Sequence, residues 1–354
     1  MLLRLTANMD STYENIVISL TDLGQLGAQL EEQGIEVLTL GTRNLLDFPL
    51  AFLKLRKILN CLRPDIVQTW MYHSDFLGGL AARSVGIKNV VWNVRNTNLG
   101  GRGLGNYWFR RLCAFLSYLI PRRILYVSDS AKLVHEQHGY CSWKSQVIYN
   151  GFDLERFRFH KKSRTEIRKY LGMSENDFVI CSVGRFVPEK DHVSFIKAVR
   201  ELIESGTDVR ALMVGRGIGW DNQEIVKQLN GVEQHFRLVG PQKEVQEFLS
   251  CADLFCLHST TEGFPNVLGE AMAVGLPCVT TRAGDAGKIL NCRKFTVDAG
   301  DYVRLADAFI RMRALSFNER KALGKINRET VERNFSLKCT VTQFEQLYRS
   351  LRDV

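Results

Sequence analysis

The chain has 354 residues, of which 45% are hydrophobic and 24% charged, with a formal net charge of +9. Those proportions belong to a globular protein with room for two cores, and they exclude a disordered or fibrous chain. The charge is shared almost evenly, +5 over residues 1–150 (16 basic, 11 acidic) and +4 over 151–354 (31 and 27), which excludes one half being a dedicated nucleic-acid module.

"MLLRLTANMD" reads as the latter part of an amphipathic helix, and the first strand pattern follows at "NIVISL". "EVLTL", "DIVQTW", "NVVWNV", "RILYVS" and "QVIYN" are further short β-branched runs, separated by helical patterns. From Asp75 to Asp129 no acidic residue intervenes, while Arg83, Lys88, Arg95, Arg102, Arg110, Arg111, Arg122 and Arg123 do. Such a basic stretch, residues 76–128, favours a phosphate or an anionic membrane surface as partner. Inside it, "GNYWFRRLCAFLSYLIPRR" (105–123) sets aromatic groups among arginines on one predicted helix. That is either an interfacial membrane element or an ordinary amphipathic helix packed on its own sheet. The charged stretch "FDLERFRFHKKSRTEIRK" has no strand pattern and marks a join near 152–170. Beyond it "FVICSVG", "VRALMVG", "FRLVG", "LFCLHS" and "PCVTT" are strands, again with helices between.

Strand–helix alternation predicts parallel sheets covered on both faces by helices. The expected fold is α/β: two doubly wound, Rossmann-like domains, residues 1–151 and 152–335, facing across a cleft. The last helix, 336–354, is expected to pack back on the first domain. Nine scattered cysteines make no CxxC pair, so Cys251 and Cys256, with His258 beyond, read as buried thiols and a core histidine rather than a metal site. There is no secretory signal and no apolar run near ~20 residues, so a cytoplasmic protein is expected.

Open parallel sheets bind ligands beyond the carboxyl ends of their strands. In the first half the residues there include His73, Asn96, Ser128 and Asn150; in the second, Gly184–Arg185, Gly215–Gly219, Gly240 and Ser259–Glu262. "TEGFPNVLGEAMAVGLPC" (261–278) holds Glu262 and Glu270 with seven residues between them. Pro265 suits the first position of a helix, whose opening amides near Asn266 and Val267 favour a phosphate. Glu270 then lies roughly 7.5 Å along the axis. An elongated ligand with a central diphosphate and hydroxylated ends fits, each carboxylate accepting hydroxyls from one end. A plainer reading makes Glu262 a cap-region carboxylate and Glu270 a surface group. In "VGRFVPEKDH", Arg185 and Lys190 leave a strand end and are suited to hold a diphosphate; the alternative is two solvated surface cations. "GRGLG" (101–105) and "GRGIG" (215–219) do not complete G-x-G-x-x-G, which argues against a dehydrogenase and leaves the second as a tight turn beside a base.

These segments, with "VIYNGFD" and "HSTTEGFPNVLGEAMAVGLPCVTTRAGD", resemble the retaining GT-B glycosyltransferases of family four in the glycosyltransferase classification, across nearly the whole chain. The resemblance implies a nucleotide-sugar donor, UDP-linked, bound mainly by the second domain. It implies catalytic roles for Glu262 at the transferred sugar and for Arg185 and Lys190 at the diphosphate, with Gly184 beside them. Glu270 would hold ribose, the backbone of Gly263, Phe264, Asn266 and Val267 the phosphates, and Val239–Gly240 the base. No metal or other cofactor is implied, because the nucleotide-sugar is a substrate and the cations with a helix start do the charge work. Retention implies front-face attack, the departing phosphate taking the acceptor's proton. His73, Asn96 and Asn150 are the acceptor-side candidates, and a saccharide or polyprenyl-linked acceptor in capsule or other surface-polysaccharide assembly at the inner membrane face is expected. Two departures stand out: Asn96 replaces a histidine common in the family, and a first strand with its glycine-rich loop is not seen before "MLLRLT". The second raises the alternative of a weakly active or non-catalytic nucleotide-sugar-binding relative.

Overall fold

β-Branched residues fit a pleated surface buried on both faces, and each of the runs named above forms a parallel strand in the computed structural model, which describes residues 1–97 and 104–352. Arg102 and most of "GRGLG" lie outside the described residues. The chain forms two units, Met1–Gly151 with Leu337–Val354, and Phe152–Ser336.

The first unit contains β1 (Ile16–Ser19), β2 (Glu36–Thr39), β3 (Val67–Trp70), β4 (Val90–Val94), β5 (Arg123–Tyr126) and β6 (Ser145–Val147). Its helices are α1 (Leu2–Thr6), α2 (Gly24–Glu32), α3 (Phe48–Leu62), α4 (Tyr72–Ser84), α5 (Leu104–Leu116) and α6 (Asp129–Gln137). The strands are all parallel, as expected, but do not join in one continuous sheet. They divide into a pair, β1-β2, and a separate sheet ordered β3-β4-β5-β6. Every residue of β4 is buried, as befits an inner strand, whereas β1, despite its Ile-Val-Ile sequence, is only half-buried. α1 caps the core of this unit: Leu5 joins Val91, Leu125 and Ile148 from the sheet.

The chain's last helix, which is numbered last below, completes that core with Val341, Phe344, Leu347 and Leu351, spaced as one helical stripe. Tyr348 donates to Gln68 Oε1 at 2.8 Å, and Arg122 donates to the carbonyl of Leu351 at 3.2 Å.

The second unit contains α7 (Lys161–Tyr170), β7 (Val179–Val183), α8 (His192–Glu204), β8 (Arg210–Val214), α9 (Gln223–Leu229), β9 (Phe236–Leu238) and α10 (Val245–Ser250). It continues through β10 (Leu254–Leu257), α11 (Asn266–Val274), β11 (Cys278–Thr281), α12 (Ala286–Leu290), β12 (Thr296–Val297), α13 (Tyr302–Ala314) and α14 (Phe317–Asn334). α15 (Leu337–Arg352) is the returning helix of the first unit. β12, two residues long, is too short to leave a periodic signal and was not expected. The single sheet is ordered β12-β11-β10-β7-β8-β9 and is parallel throughout. From β7 the chain builds outward to β9, then returns to place β10 on the other side of β7. Strand order therefore reverses between β7 and β10, and a crevice opens at the carboxyl ends of strands at such a reversal.

Cys181, Cys251, Cys256 and Cys278 are buried in this unit, and burial raises their thiols, that of Cys251 to about 12. Among the described residues no cluster of three His, Cys, Asp or Glu side chains could hold a metal ion, and no helix is long and apolar enough to cross a membrane.

Candidate active site

The carboxyl ends of β7 and β10 carry the two motifs singled out above. Gly184 follows β7, and a Cβ on Gly215, at the end of β8, would lie 1.9 Å from the Gly184 carbonyl oxygen. With φ at +151°, Gly215 is a position that only glycine fills, and its absent side chain lets the two strand ends touch. The loop then returns: the Phe186 amide donates to the Arg216 carbonyl at 2.8 Å, and Pro188–Lys190 make one 3-10 turn. Asp191, in the left-handed region, caps α8 by accepting from the Ser194 amide at 3.2 Å.

Lys190 Nζ lies 2.5 Å from Glu262 Oε1, an ion pair spanning 72 positions of sequence that adjacent β7 and β10 bring together. Ser259 Oγ donates to the same oxygen at 2.7 Å. The reading of Lys190 as a solvated cation is thereby corrected: its side chain is largely buried, with a carboxylate as counter-ion. Arg185 is exposed, and its guanidinium has no hydrogen-bond or ion-pair partner among the described residues. The Glu262 backbone is pinned from below. A Cβ on Gly284 (φ +53°) would meet the Glu262 carbonyl oxygen at 2.1 Å and that of Gly263 at 2.9 Å.

Pro265 is not the first helical residue but the cap before it (φ −77°, ψ 86°), because Leu268 and Gly269 both donate to its carbonyl, at 3.1 and 3.3 Å. α11 thus opens at Asn266, with Val267 following, and no side chain caps it. Phe264 is buried with its ring between Phe152 and Phe335, so it offers the site only its backbone. Glu270 lies four residues after Asn266, on the same helical face. It is 9% exposed, which overturns the reading of it as a surface group. Val239 and Gly240 sit at the end of β9. Gly240 donates to Ile218 and accepts from Gly215, both at 2.8 Å, so this turn is tied to "GRGIG" rather than standing alone.

The acceptor-side candidates belong to the first unit. Asn96 Oδ1 lies 3.0 Å from the Tyr72 hydroxyl, which also lies 2.6 Å from His135 Nε2. His135 holds Ala131 O with Nδ1 at 2.7 Å, and burial lowers its pKa to about 4, so the ring is neutral and Nε2 accepts from the tyrosine. Asn150 is buried and accepts from Arg95, whose guanidinium also packs over the Trp70 ring. His73 is exposed and lies against aromatic rings, stacked on Phe109 at 5.2 Å and edge-on to Phe48 at 6.1 Å. Sequence reading missed Tyr72, His135 and Arg95, and also Met71, which joins β3 to α4 at φ 74°, ψ 162°. That conformation is costly for any side-chain-bearing residue, and no sequence signal announces it. Beside it, burial raises Asp75 to about 8, against the lowering effect of the Thr69 hydroxyl.

Two parallel-sheet α/β units, the second with a cation–carboxylate pair and a helix start at its sheet reversal, define the GT-B class of glycosyltransferase folds. The structure superposes on crystalline Anabaena Alr3699/HepE in complex with UDP with a TM-score of 0.84 and 20% identity, covering 99% of this chain and 95% of that one. The "Glycosyltransferase Family 4" profile matches residues 2–156, and "Glycosyl transferases group 1" matches 177–314. The chain is 30% identical to the lipopolysaccharide core biosynthesis glycosyltransferase LpsD of Rhizobium meliloti, over 83% of this chain and 78% of that protein. It is 31% identical to N-acetyl-alpha-D-glucosaminyl L-malate synthase of Bacillus anthracis over 63% of this chain, a match spanning 59% of that enzyme's length. It is 26% identical to the Escherichia coli UDP-Gal:alpha-D-GlcNAc-diphosphoundecaprenol alpha-1,3-galactosyltransferase, over 74% of this chain and 70% of that one. The chain belongs to glycosyltransferase family 4.

Proposed function

We propose that this protein transfers a sugar from a UDP-sugar to a lipid-linked saccharide in surface-polysaccharide assembly, with retention of anomeric configuration and without a metal ion. The observation that carries the reading is the convergence of Lys190, Glu262 and the start of α11 where the strand order of the second sheet reverses. Arg185 and Lys190 neutralise the diphosphate, the α11 start adds backbone donors, and Glu270 accepts the ribose hydroxyls. The bond from the anomeric carbon to the β-phosphate oxygen breaks, its electron pair leaving on phosphate. The acceptor oxygen bonds to that carbon on the same face, and its proton passes to the departing phosphate oxygen, so no strong protein base is needed. The lipid-linked acceptor follows the diphosphoundecaprenol-linked sugar in the name of the Escherichia coli relative, and the surface-polysaccharide setting follows the lipopolysaccharide core biosynthesis in the name of the Rhizobium one. The test is incubation of the purified chain with UDP-hexoses and a polyprenyl-diphosphate saccharide in excess EDTA. Release of UDP with an axial-to-axial product by NMR is expected. An inverted product removes retention, a need for added metal removes metal independence, and failure to bind UDP at all removes the donor assignment.

The first unit supports a further part of the reading: peripheral docking on the anionic inner face of the cytoplasmic membrane. α5 exposes Trp108 (66%), Phe115 (64%) and Leu112 on the same side as Arg111, and α3 exposes Leu50 and Leu53 beside Lys54 and Lys57. Phe48 of α3 and Phe109 of α5 meet on either side of His73, joining the two faces. From residue 48 to 128 there are twelve basic side chains and two acidic ones, a balance that complements phosphatidylglycerol headgroups while the aromatics enter the acyl boundary. Not every arginine of the stretch takes part: Arg122 is spent on Asn89 Oδ1 at 2.6 Å and on Leu351 O. Co-sedimentation with vesicles containing a third phosphatidylglycerol should drop about tenfold for Arg111→Glu/Lys54→Glu and for Trp108→Ser/Phe115→Ser, with UDP affinity unchanged. Equal binding to neutral vesicles, or none to either, would remove this part.

A further inference from the structure

Arg185 and Lys190 are long, flexible side chains, so what fixes their placement is the backbone that carries them. Two buried histidines hold that backbone. His192 Nε2 lies 3.0 Å from the carbonyl oxygen of Arg185, and His258 Nδ1 lies 2.5 Å from the carbonyl oxygen of Lys190. A carbonyl oxygen only accepts, so each of these ring nitrogens carries the proton. Burial lowers the pKa of both rings, and a neutral ring has one bare nitrogen left. In His258 that is Nε2, which accepts from Ser182 Oγ on β7 at 2.5 Å; in His192 it is Nδ1, which has no partner among the described residues. The rings meet edge to face, centroids 4.9 Å apart, between Phe186 on one side and Phe195 on the other. One histidine comes from the start of α8 and the other from the end of β10.

We propose that His192 and His258 form a clasp that positions the two diphosphate-binding cations, each imidazole gripping the main-chain carbonyl of the residue that bears one of them. They are positioning residues, since both rings are buried and act through the backbone carbonyls they hold. The clasp rests on the donor reading above. It also gives "LHS" a role beyond a core histidine: the Lys190 carbonyl fixes the His258 tautomer, and Ser182 occupies the other ring nitrogen and holds the ring in place. Backbone contacts from Phe186 to Arg216 and from Thr260 to Glu189, with the Thr260 hydroxyl on the Glu189 carbonyl at 3.3 Å, hold the rest of the loop, and the clasp adds an anchor at each cation-bearing residue.

The tautomers choose the test variants. Asparagine at 258 keeps a donor near Nδ1, and glutamine at 192 keeps one near Nε2, whereas leucine at either position keeps bulk and loses the donor. UDP affinity by calorimetry, and KM for the UDP-sugar, should worsen about tenfold in His258→Leu and His192→Leu, the loss of one hydrogen bond's worth of preorganisation. They should recover to within about threefold in His258→Asn and His192→Gln. Ser182→Ala, which leaves the fold's bulk intact and removes the hydrogen bond that orients the His258 ring, should weaken UDP binding even if a leucine variant does not fold. Leucine variants that match their donor-keeping counterparts, or Ser182→Ala that binds UDP as the unaltered chain does, would overturn the clasp alone. No UDP binding by the unaltered chain would overturn the donor reading and the clasp together.

Discussion

Glu262→Gln should lower kcat by about two to three orders of magnitude while UDP binds at least as tightly as before. Glu262 Oε1 is occupied twice, by Lys190 and by Ser259, and Oε2 has no partner among the described residues. Oε2 is therefore the atom with capacity for a sugar hydroxyl. Glutamine keeps the shape and the Ser259 contact but loses the charge that orders the sugar and balances Lys190. On the proposed donor reading, a diphosphate brings two negative charges to an ammonium already paired with one carboxylate, and donor binding would compete with Glu262 for Lys190. Neutralising Glu262 removes that competitor, and the nucleotide gains while turnover falls. Single-turnover kinetics with UDP-sugar, alongside calorimetry with UDP, separates the two effects. A Glu262→Gln protein with unchanged kcat would show that the carboxylate does not meet the sugar; one that loses UDP affinity in step with kcat would show that it merely props up the loop.

Arg185→Ala should reduce kcat/KM by a hundredfold or more and leave the thermal unfolding midpoint where it was. The usual objection to alanine scanning, that activity is lost through the fold, does not apply here. The guanidinium is exposed and unpaired among the described residues, so its removal breaks no bond seen there and uncovers no buried charge. On the proposed reading its large contribution is to an anion that arrives from outside, first in holding the diphosphate and then in stabilising the charge gained as it departs. The loss should be greater for the UDP-sugar in turnover than for UDP in binding, since charge develops only in reaction. Full activity in this variant would place the diphosphate elsewhere.

The α/β class and the parallel strands were legible because their cause is local. "VVWNV" and "VICSV" are β-branched runs bounded by turn residues, and such runs, alternating with helical periods, have few other folded outcomes. The strand-end positions of Arg185 and Glu262 were legible for the same reason. What those residues touch was not. Nothing near Lys190 in sequence indicates that its counter-ion stands 72 positions away, and nothing near His258 reveals that its ring holds Lys190's carbonyl. Which strands of the first unit share an edge was not legible either, because sequence spacing carries no record of which edges pair.

The sequence by itself determined which segments are strands, which are helices, and which polar residues stand at their carboxyl ends, since backbone propensity and periodic burial act over a few residues. Only the tertiary structure decided that β10 lies beside β7, that Lys190 pairs with Glu262, and that Met71 takes a strained turn. Those outcomes depend on apolar faces and hydrogen-bonding edges finding partners far along the chain, a choice made by the summed burial of the whole unit rather than by any short stretch of it.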